Sequence, residues 1–249
     1  MVKSLRYWLQ ATGLTTEVLA RGRHQEFTEL ADVIWDNDRY MEEIGTVWFL
    51  HYKLASNEKE ATAWYYFFNE FPLKEFSKED FVEMISLYTQ MNGNEIATSS
   101  LEGDFDCIIN TYVSRIKSNP EKVNPENNID CPIGDLNLVD IVDKKKKLYR
   151  KVSPKKGTLN PLVVLAVIVD QANLNNSGNE IKINSILSDK NNAGKIFNFD
   201  IIALTEILYE LQKMNYIRVN RTAGLDVINL NKELTMVDVV EKYYKSLSE

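Results

Sequence analysis

The aromatic stretch from Trp48 to Phe76 constrains the fold more than any other part of the sequence. Its apolar residues follow helical spacing on both sides of a polar turn at 56–58. Two helices with apolar faces of this kind are stable only when those faces pack against other elements. Aromatic residues at this spacing are more often core residues than a platform for stacking bases. The stretch therefore predicts the helical core of a globular protein.

The composition is that of an ordinary globular protein. The chain has 249 residues, of which 44% are hydrophobic and 26% are charged, and these values indicate neither disorder nor a membrane protein. No apolar run approaches the roughly 18 residues of a spanning helix, and no secretory signal precedes the first helix. Cys107 and Cys131 lie apart from each other and from histidine, which is typical of reduced thiols. We therefore expect a cytoplasmic protein with no membrane partner.

The apolar periodicity predicts a mainly α fold with a small β component, divided into two domains. Residues 1–118 form a helical domain that begins with a helix at about 1–11 and continues with four or five helices in 27–117. Residues 119–132 form a linker, because this segment contains three prolines and four asparagines. Residues 133–249 form a winged-helix-like domain that includes the basic segment 144–156.

Side chains that can cap helix N-termini predict where the helices of the first domain begin. The predicted caps are Asp36 or Asp38 for a helix over 39–55, then Ser77 with Asp80, and finally Ser99 with Glu102. The helix before them is predicted to begin at Phe27 from apolar spacing alone. His51 lies on the apolar face of the helix over 39–55. A core histidine with satisfied hydrogen bonds is favoured there over a catalytic base or metal ligand, because no cysteine or second histidine lies at ligand spacing.

The segment 160–230 has the pattern of a winged helix. Asn160 and Pro161 start a helix, a short extended stretch and a second helix near 199–214 follow, and a hairpin turns near 220–224. In such a domain one helix can enter a DNA groove while the hairpin contacts the phosphate backbone.

Charges on this predicted winged helix leave its partner open between DNA and protein. Arg218 and Arg221 lie on the hairpin and suit phosphate contact. Asp200, Glu206 and Glu210 lie on the preceding helix and favour protein docking.

Basic residues are concentrated in one run. The net charge is −7, whereas the segment from Lys144 to Lys156 carries +8 without an acidic residue and leaves −15 for the rest of the chain. Such a distribution suits a local DNA-contact surface on an acidic body, and a solvated loop is the alternative. The candidate DNA contacts in this run are Lys144, Lys145, Lys146, Lys147, Arg150 and Lys151.

The first predicted helix also offers basic residues on its polar face. Lys3 and Arg6 lie opposite its apolar stripe and are candidate contacts to phosphates or base edges. This helix has the character of the second helix of a helix-turn-helix whose first helix is absent. An ordinary first helix with a polar outer face is the alternative.

Motifs for established chemistries are absent from the sequence. There is no phosphate-binding G-x-x-x-x-G-K-[ST] loop and no G-x-S-x-G elbow. The tightest acidic cluster, Glu102, Asp104 and Asp106, supplies the candidate catalytic residues if the protein is a nuclease that uses Mg²⁺ or Mn²⁺. Helical spacing turns Asp104 away from the other two, and acidic residues in a first helical turn also complement the helix dipole. No metal site or other cofactor is predicted.

The sequence resembles a bacterial family called domain of unknown function 4007. The matching segments follow one another in order through nearly the whole chain. They are MVKSLRYW from Met1, DRYMEEIGTVWFLHYKLAS from Asp38, ATAWYYFFNEF from Ala61, LEGDFDCIINTYV from Leu101, DCPIGDLNL from Asp130, GKIFNFD from Gly194 and TAGLDVINL from Thr222.

The resemblance implies a DNA-associated protein. Members of this family occur with phosphorothioate-type DNA modification and phage defence, and one of them is the nicking component of a single-strand phosphorothioate system. The implied function is a DNA-binding accessory protein, with DNA nicking as an activity the resemblance suggests. A non-catalytic adaptor that docks other proteins of the modification system through its winged helix is the alternative. The implied partners are DNA, those proteins and a second copy of the chain.

The resemblance carries no catalytic residues with it, and the chain departs from the family pattern at one place. Family members have several tens of residues before the segment that matches MVKSLRYW, including the partner helix of the helix-turn-helix. We expect functions that need this complete N-terminal module to be affected.

Overall fold

The computed structural model describes residues 2–18, 24–113, 131–222 and 225–247. They form a mainly α fold with small antiparallel sheets, as predicted. The elements before residue 114 are α1 (Val2–Ala11), β1 (Thr15–Val18), β2 (His24–Phe27), α2 (Glu29–Asp38), α3 (Ile44–Ser56), α4 (Thr62–Asn69), β3 (Glu75–Phe76), α5 (Lys78–Met91) and α6 (Thr98–Tyr112).

The elements after residue 130 begin with a short 3-10 helix. They are this helix (Pro132–Leu136), β4 (Val139–Asp143), β5 (Leu148–Lys151), α7 (Pro161–Leu174), β6 (Glu180–Lys182), α8 (Ile183–Ser188), α9 (Ala193–Ile196), α10 (Ile201–Lys213), β7 (Ile217–Thr222), β8 (Leu225–Leu230) and α11 (Met236–Leu247). In the part of the chain that the structure covers, no helix combines the length and apolar character needed to cross a bilayer.

The predicted aromatic core is confirmed. Trp48, Phe49, Phe67 and Phe68 are almost fully buried in α3 and α4. The same hydrophobic cluster contains the apolar residues of α7, which is buried around its whole circumference from 162 to 169. A helix without a polar face must lie inside the fold, so α7 is a central element.

His51 is a satisfied core residue, as predicted. It is fully buried, and its Nε2 lies 2.9 Å from the carbonyl oxygen of Ile196, while its Nδ1 lies 2.8 Å from the hydroxyl of Tyr112. A carbonyl oxygen can only accept, so Nε2 donates and Nδ1 accepts from the phenol. Burial lowers the pKa of His51 to about 4, so the imidazole is neutral.

Two predicted helix starts near the N-terminal hairpin are wrong. Phe27 belongs to β2, and the side chain of Thr28 caps α2 instead. The helix predicted over 39–55 begins only at Ile44, since Met41 has φ = 55°, a conformation that interrupts a helix. Asp38 accepts the backbone N–H groups of residues 42 and 43 rather than capping a helix at 39.

The capping prediction is right for α5 and wrong for α6. Ser77 and Asp80 form a capping box at α5. The helix α6 begins at Thr98 after Ala97, which has no side chain able to cap, so Ser99 lies inside the helix. Glu102 is therefore beyond the first turn.

Residues 139–151 form a hairpin rather than a loop. The strand β5 pairs with β4 and with β3, so the sheet order is β3-β5-β4. A second hairpin, β1 with β2, was not predicted.

The element order predicted for 160–230 is observed, with one difference: two short helices separate the extended stretch from the second helix. The extended stretch is Glu180–Lys182, and α8 and α9 follow it. The sheet order is β6-β8-β7, which places the first strand beside the second arm of the hairpin. Most of the predicted linker, residues 119–130, lies outside the described residues, and the division into two domains stays a prediction.

The C-terminal helix α11 is joined to the start of α3. The backbone N–H of Gly45 donates to the hydroxyl of Tyr243 over 3.1 Å, and Thr46 Oγ1 lies 2.6 Å from the hydroxyl of Tyr244. These contacts connect residues 198 positions apart. Gly45 allows the approach, because a Cβ at this position would clash with the ring of Tyr243.

Substitution of Gly45 by alanine is expected to lower the free energy of unfolding by about 2–4 kcal/mol. The added methyl forces the ring of Tyr243 away, so overpacking and a lost hydrogen bond add together. The control is Gly103→Ala in the middle of α6, where an added Cβ meets no atom within 4 Å. This substitution should stabilise the helix by about 0.5–1 kcal/mol. Urea denaturation measures both, and a Gly45→Ala variant as stable as the wild type would contradict the assignment.

Candidate nucleic-acid interface

Four of the predicted DNA contacts lie together at the tip of the β4–β5 hairpin. The carboxylate of Asp143 accepts the backbone N–H of Lys145 over 2.8 Å and that of Lys146 over 3.1 Å. Lys147 has φ = 49°, which completes the reversal of the chain. The turn is thus closed through the backbone, and all four lysine side chains from Lys144 to Lys147 are exposed. None of the four forms an ion pair with a residue that the structure describes.

Arg150 lies lower on the same hairpin and faces two carboxylates. It is the cross-strand neighbour of Glu75 on one side and of Asp140 on the other. Its guanidinium nitrogens lie 3.8 Å from Glu75 Oε1 and 3.7 Å from Asp140 Oδ2. These contacts reduce the positive charge that Arg150 offers to phosphate.

Lys151 points into the protein, so its predicted contact with DNA is contradicted. Its Nζ donates to the carbonyl oxygens of Phe67 (2.5 Å) and Phe71 (2.7 Å), at the end of α4. The same atom lies 4.8 Å from the ring centroid of Phe67. Burial, together with the nearby charge of Lys195, lowers the pKa of Lys151 to about 7. A neutral amine has two N–H groups, so it can donate one hydrogen bond to each of the two carbonyl oxygens.

The basic residues of α1 are only partly available. Lys3 is exposed, whereas Arg6 forms an ion pair with Glu17 of β1 over 2.7 Å. The apolar side of the helix is anchored by Trp8, whose ring meets that of Trp64 edge to face at 5.5 Å. The unpredicted β1–β2 hairpin therefore occupies one side of α1, and its identity as a helix-turn-helix remnant stays a prediction.

The two arginines of the β7–β8 hairpin behave differently. Arg218 is exposed on β7. Arg221 turns back onto α10, where it donates to Thr205 Oγ1 over 3.2 Å and lies 5.7 Å from the ring centroid of Tyr209.

The exposed face of α10 is apolar and acidic rather than basic. Ile202 is 69% exposed and Ile201 is 48% exposed. Glu206 and Glu210 lie on the same helix, and Glu206 pairs with Lys156 over 3.0 Å. Carboxylates repel phosphates, so this face is better suited to a protein than to a DNA groove.

The three candidate catalytic carboxylates do not converge. Asp106 forms an ion pair with Lys78 over 2.7 Å, Glu102 is exposed on the outside of α6, and Asp104 is half-buried, which raises its pKa. No group of three carboxylate, histidine or cysteine side chains able to hold a metal occurs among the described residues. The acidic trio therefore does not fit a Mg²⁺ or Mn²⁺ ion. The helix-dipole alternative is also wrong, because the first turn of α6 contains no acidic residue.

A sequence profile of the family described as "Protein of unknown function (DUF4007)" matches residues 1–244. The chain belongs to the DUF4007 family. Two crystal structures of SspB, one of them with a bound magnesium ion, share the fold of this DUF4007 protein with a TM-score of 0.82. Each comparison covers 100% of this chain and 76% of the other at 21% sequence identity. Comparison with curated proteins gave no match.

The free energy of unfolding of the DUF4007 protein is expected to rise between pH 7 and pH 9 because of Lys151. The amine titrates near 10.5 in the unfolded chain and near 7 in the folded protein, so the unfolded state binds more protons in this window. The contribution is at most about 1.4 kcal/mol per pH unit. Urea denaturation at several pH values measures the slope, below the range in which tyrosines titrate.

Two variants separate this effect from other titrations. Lys151→Met keeps the apolar stem without the amine and should flatten the slope. Lys147→Met removes one positive charge from the exposed turn and should keep the slope of the wild type. Equal slopes in Lys151→Met and the wild type would show that the amine is not buried.

Proposed function

We propose that this DUF4007 protein is a DNA-binding accessory protein of a bacterial phosphorothioate-type DNA-modification and antiviral defence system. Family membership and the fold shared with SspB support the system, and the turn Lys144–Lys147 is the observation that carries DNA binding. Under this proposal the protein acts in the cytoplasm, as a homodimer, with DNA and proteins of the modification system as partners.

The position of the four lysines supports phosphate contact. Four adjacent ammonium groups project from the tip of a two-stranded hairpin, and the backbone of that tip is fixed by Asp143. A rigid, protruding cation cluster can approach phosphates while the acidic body of the protein stays at a distance. Release of counterions from DNA would then supply the binding free energy.

The C-terminal elements support a second DNA contact. Their order from α7 to β8, with sheet order β6-β8-β7, supports a winged helix in which β7 and β8 would form the wing. Arg218 and Arg221 are both exposed on this wing, and Arg221 also donates to Thr205 of α10. The proposed contact set is therefore Lys3, Arg6, Lys144, Lys145, Lys146, Lys147, Arg150, Arg218 and Arg221.

Nicking is not included in the proposal. Among the residues that the structure describes, Glu102, Asp104 and Asp106 do not meet, and no other group of three carboxylate, histidine or cysteine side chains could hold a metal. The magnesium ion bound in the SspB crystal structure belongs to that protein. The proposal is therefore confined to binding.

The adaptor function has a specific observation in its favour. On α10, the helix that would enter a groove, the exposed residues up to position 210 are Ile201, Ile202, Glu206, Tyr209 and Glu210, and only Gln212 and Lys213 follow at its C-terminal end. Exposed isoleucines next to a tyrosine are typical of the centre of a protein interface. We propose that α10 docks a protein of the modification system while the lysine turn contacts DNA.

Replacement of Lys144, Lys145, Lys146 and Lys147 by alanine is expected to weaken duplex binding and flatten its salt dependence. Each phosphate contact contributes about 0.9 to the slope of log K against log salt concentration, so the slope should fall by about 3–4. Fluorescence anisotropy with labelled duplex DNA at several salt concentrations measures both quantities.

The matched control removes the same charge elsewhere. Lys59, Lys182, Lys232 and Lys245 are exposed on four other parts of the surface, and their replacement by alanine should leave the slope nearly unchanged. If the two quadruple variants have the same slope, the turn is not the contact surface and only net charge matters.

Ile201→Ser with Ile202→Ser is expected to weaken binding to a protein of the modification system by at least about tenfold. The reason is that each isoleucine loses apolar burial worth about 1–2 kcal/mol. Duplex binding should not change. The control is Leu87→Ser with Met91→Ser, which removes two exposed apolar residues from α5. Surface plasmon resonance with each purified protein of the system measures the affinity. Loss of duplex binding in the α10 variant, with protein binding retained, would reverse the proposed roles.

A further inference from the structure

A stripe of exposed side chains runs along α2 on the side away from the core. The α2 stripe consists of Asp32, Trp35, Asp36 and Arg39, which follow one another at the i, i+3, i+4, i+7 spacing of a single helix face. Trp35 is 59% exposed, although tryptophan is highly buried in most proteins. An exposed indole between two carboxylates is a surface that can bind another molecule.

The ring of Trp35 already carries a cation. The guanidinium carbon of Arg39 lies 4.8 Å from the ring centroid of Trp35, within the roughly 6 Å of a cation–π contact. Arg39 is exposed and forms no ion pair with a residue that the structure describes. A guanidinium that meets both the ring and the carboxylates would therefore be bound more tightly than that of Arg39.

The two carboxylates of the α2 stripe have no cation of their own. Asp32 and Asp36 are exposed, and neither forms an ion pair in the described parts of the chain. Asp36 lies in the last turn of α2, where the helix dipole disfavours a negative charge and no basic residue compensates it. The stability of the helix thus gives no reason for Asp36, whereas a cationic partner does.

The loop that follows the α2 stripe presents two apolar side chains in a fixed conformation. In this apolar loop, Tyr40 is 79% exposed and Met41 is 39% exposed. Met41 has φ = 55°, which is uncommon outside glycine. The carboxylate of the buried Asp38 holds this conformation, because it accepts the backbone N–H groups of Glu42 and Glu43. Backbone conformations that cost free energy are concentrated at functional sites.

The charge around the α2 stripe selects the chemistry of the partner. Residues 29–43 contain six acidic residues and one arginine, a net charge of −5. This charge repels phosphates, and it repels the same face of a second copy, so it disfavours both DNA and a symmetric dimer here. It complements a basic segment.

We infer that the α2 stripe and the apolar loop bind an arginine-bearing, otherwise apolar segment of a protein partner. The guanidinium of the segment stacks on Trp35 in the place of Arg39 and donates to Asp32 and Asp36, while apolar side chains beside it cover the apolar loop. Lysine fits less well, because an ammonium is a compact charge without the planar fork of donors that matches carboxylates. This inference goes beyond the proposed function and does not rest on it.

The test uses a fluorescein-labelled peptide of sequence Gly-Arg-Leu-Gly-Arg-Leu-Gly and the same peptide with lysine in place of arginine. The purified protein is expected to bind the arginine peptide about fivefold more tightly than the lysine peptide. Fluorescence anisotropy measures both affinities. The two peptides carry the same charge, so equal affinities would reduce the contact to attraction by an acidic protein and overturn the inference.

Variants of the carboxylates locate the contact. Asp32→Asn with Asp36→Asn should weaken binding of the arginine peptide about tenfold. The matched control is Glu79→Gln with Glu83→Gln, which removes two exposed carboxylates at the same i, i+4 spacing from α5 and should weaken binding less than about twofold. Equal effects of the two double variants overturn the assignment to α2.

Variants of the ring test the stacking. Trp35→Phe should weaken binding about threefold and Trp35→Leu about tenfold, since phenylalanine keeps a weaker cation–π surface and leucine keeps none. Arg39→Ala should tighten binding about threefold, because the ring is then free. Wild-type affinity in Trp35→Leu overturns the inference, and unchanged or weaker binding in Arg39→Ala overturns the place given to the guanidinium.

Two measurements exclude other occupants of the α2 stripe. Duplex DNA should bind Trp35→Leu as tightly as wild type, and loss of duplex binding in this variant would assign the stripe to DNA and overturn the inference. Sedimentation velocity compares self-association of the wild type, Asp32→Asn with Asp36→Asn, and the alanine variant of Lys144–Lys147. Self-association that both variants lose would assign the stripe to the lysine turn of a second copy, and this result would also overturn the inference.

Discussion

The neutral imidazole of His51 is the contact on which the core depends. It lies on α3 and joins the hydroxyl of Tyr112, at the end of α6, to the carbonyl of Ile196, at the end of α9. Because a buried donor or acceptor must be paired, this single ring fixes two segments that are 61 and 145 residues away. The rings of Trp48, Phe68 and Phe197 surround it. Protonation would place an unpaired charge in this apolar environment, and burial prevents it by lowering the pKa of His51.

The same core determines where the candidate interface lies. Lys151 binds the carbonyl of Phe67 in α4 and that of Phe71 just after this helix, so the foot of the β4–β5 hairpin is attached to the aromatic helices. Successive residues of a strand point to opposite faces, and Arg150 therefore points outward between Glu75 and Asp140. Tyr149 points inward and stacks on Phe76. On this hairpin, the lysines at the tip are the basic residues without an ion pair or a buried carbonyl partner among the described residues.

Helix existence and core membership followed from the sequence, because apolar spacing reports which residues are buried in a helix. The start of α3 did not, since nothing local distinguishes the positive φ of Met41 from a continuing helix. The strand β5 did not follow either, because in Leu148-Tyr149-Arg150-Lys151 each alternating pair combines an apolar with a basic residue, so the period of a strand is not visible. The inward direction of Lys151 could not be predicted, because the carbonyls that it binds, those of Phe67 and Phe71, lie 84 and 80 residues earlier in the chain.

The lysine turn and the exposed face of α10 differ in charge and polarity, so they suit different proposed partners. A net charge of −7 makes most of the protein surface unfavourable for DNA, so the proposed contact depends on cations that are not paired with carboxylates. The lysines at the hairpin tip have no ion pair with a described residue, whereas Arg6 and Arg150 face carboxylates. Under the proposed function, the acidic residues on α10 would disfavour DNA at the exposed Ile201 and Ile202 and would leave these side chains to a protein partner. Because the two proposed surfaces are separate, contact with one partner would not require release of the other.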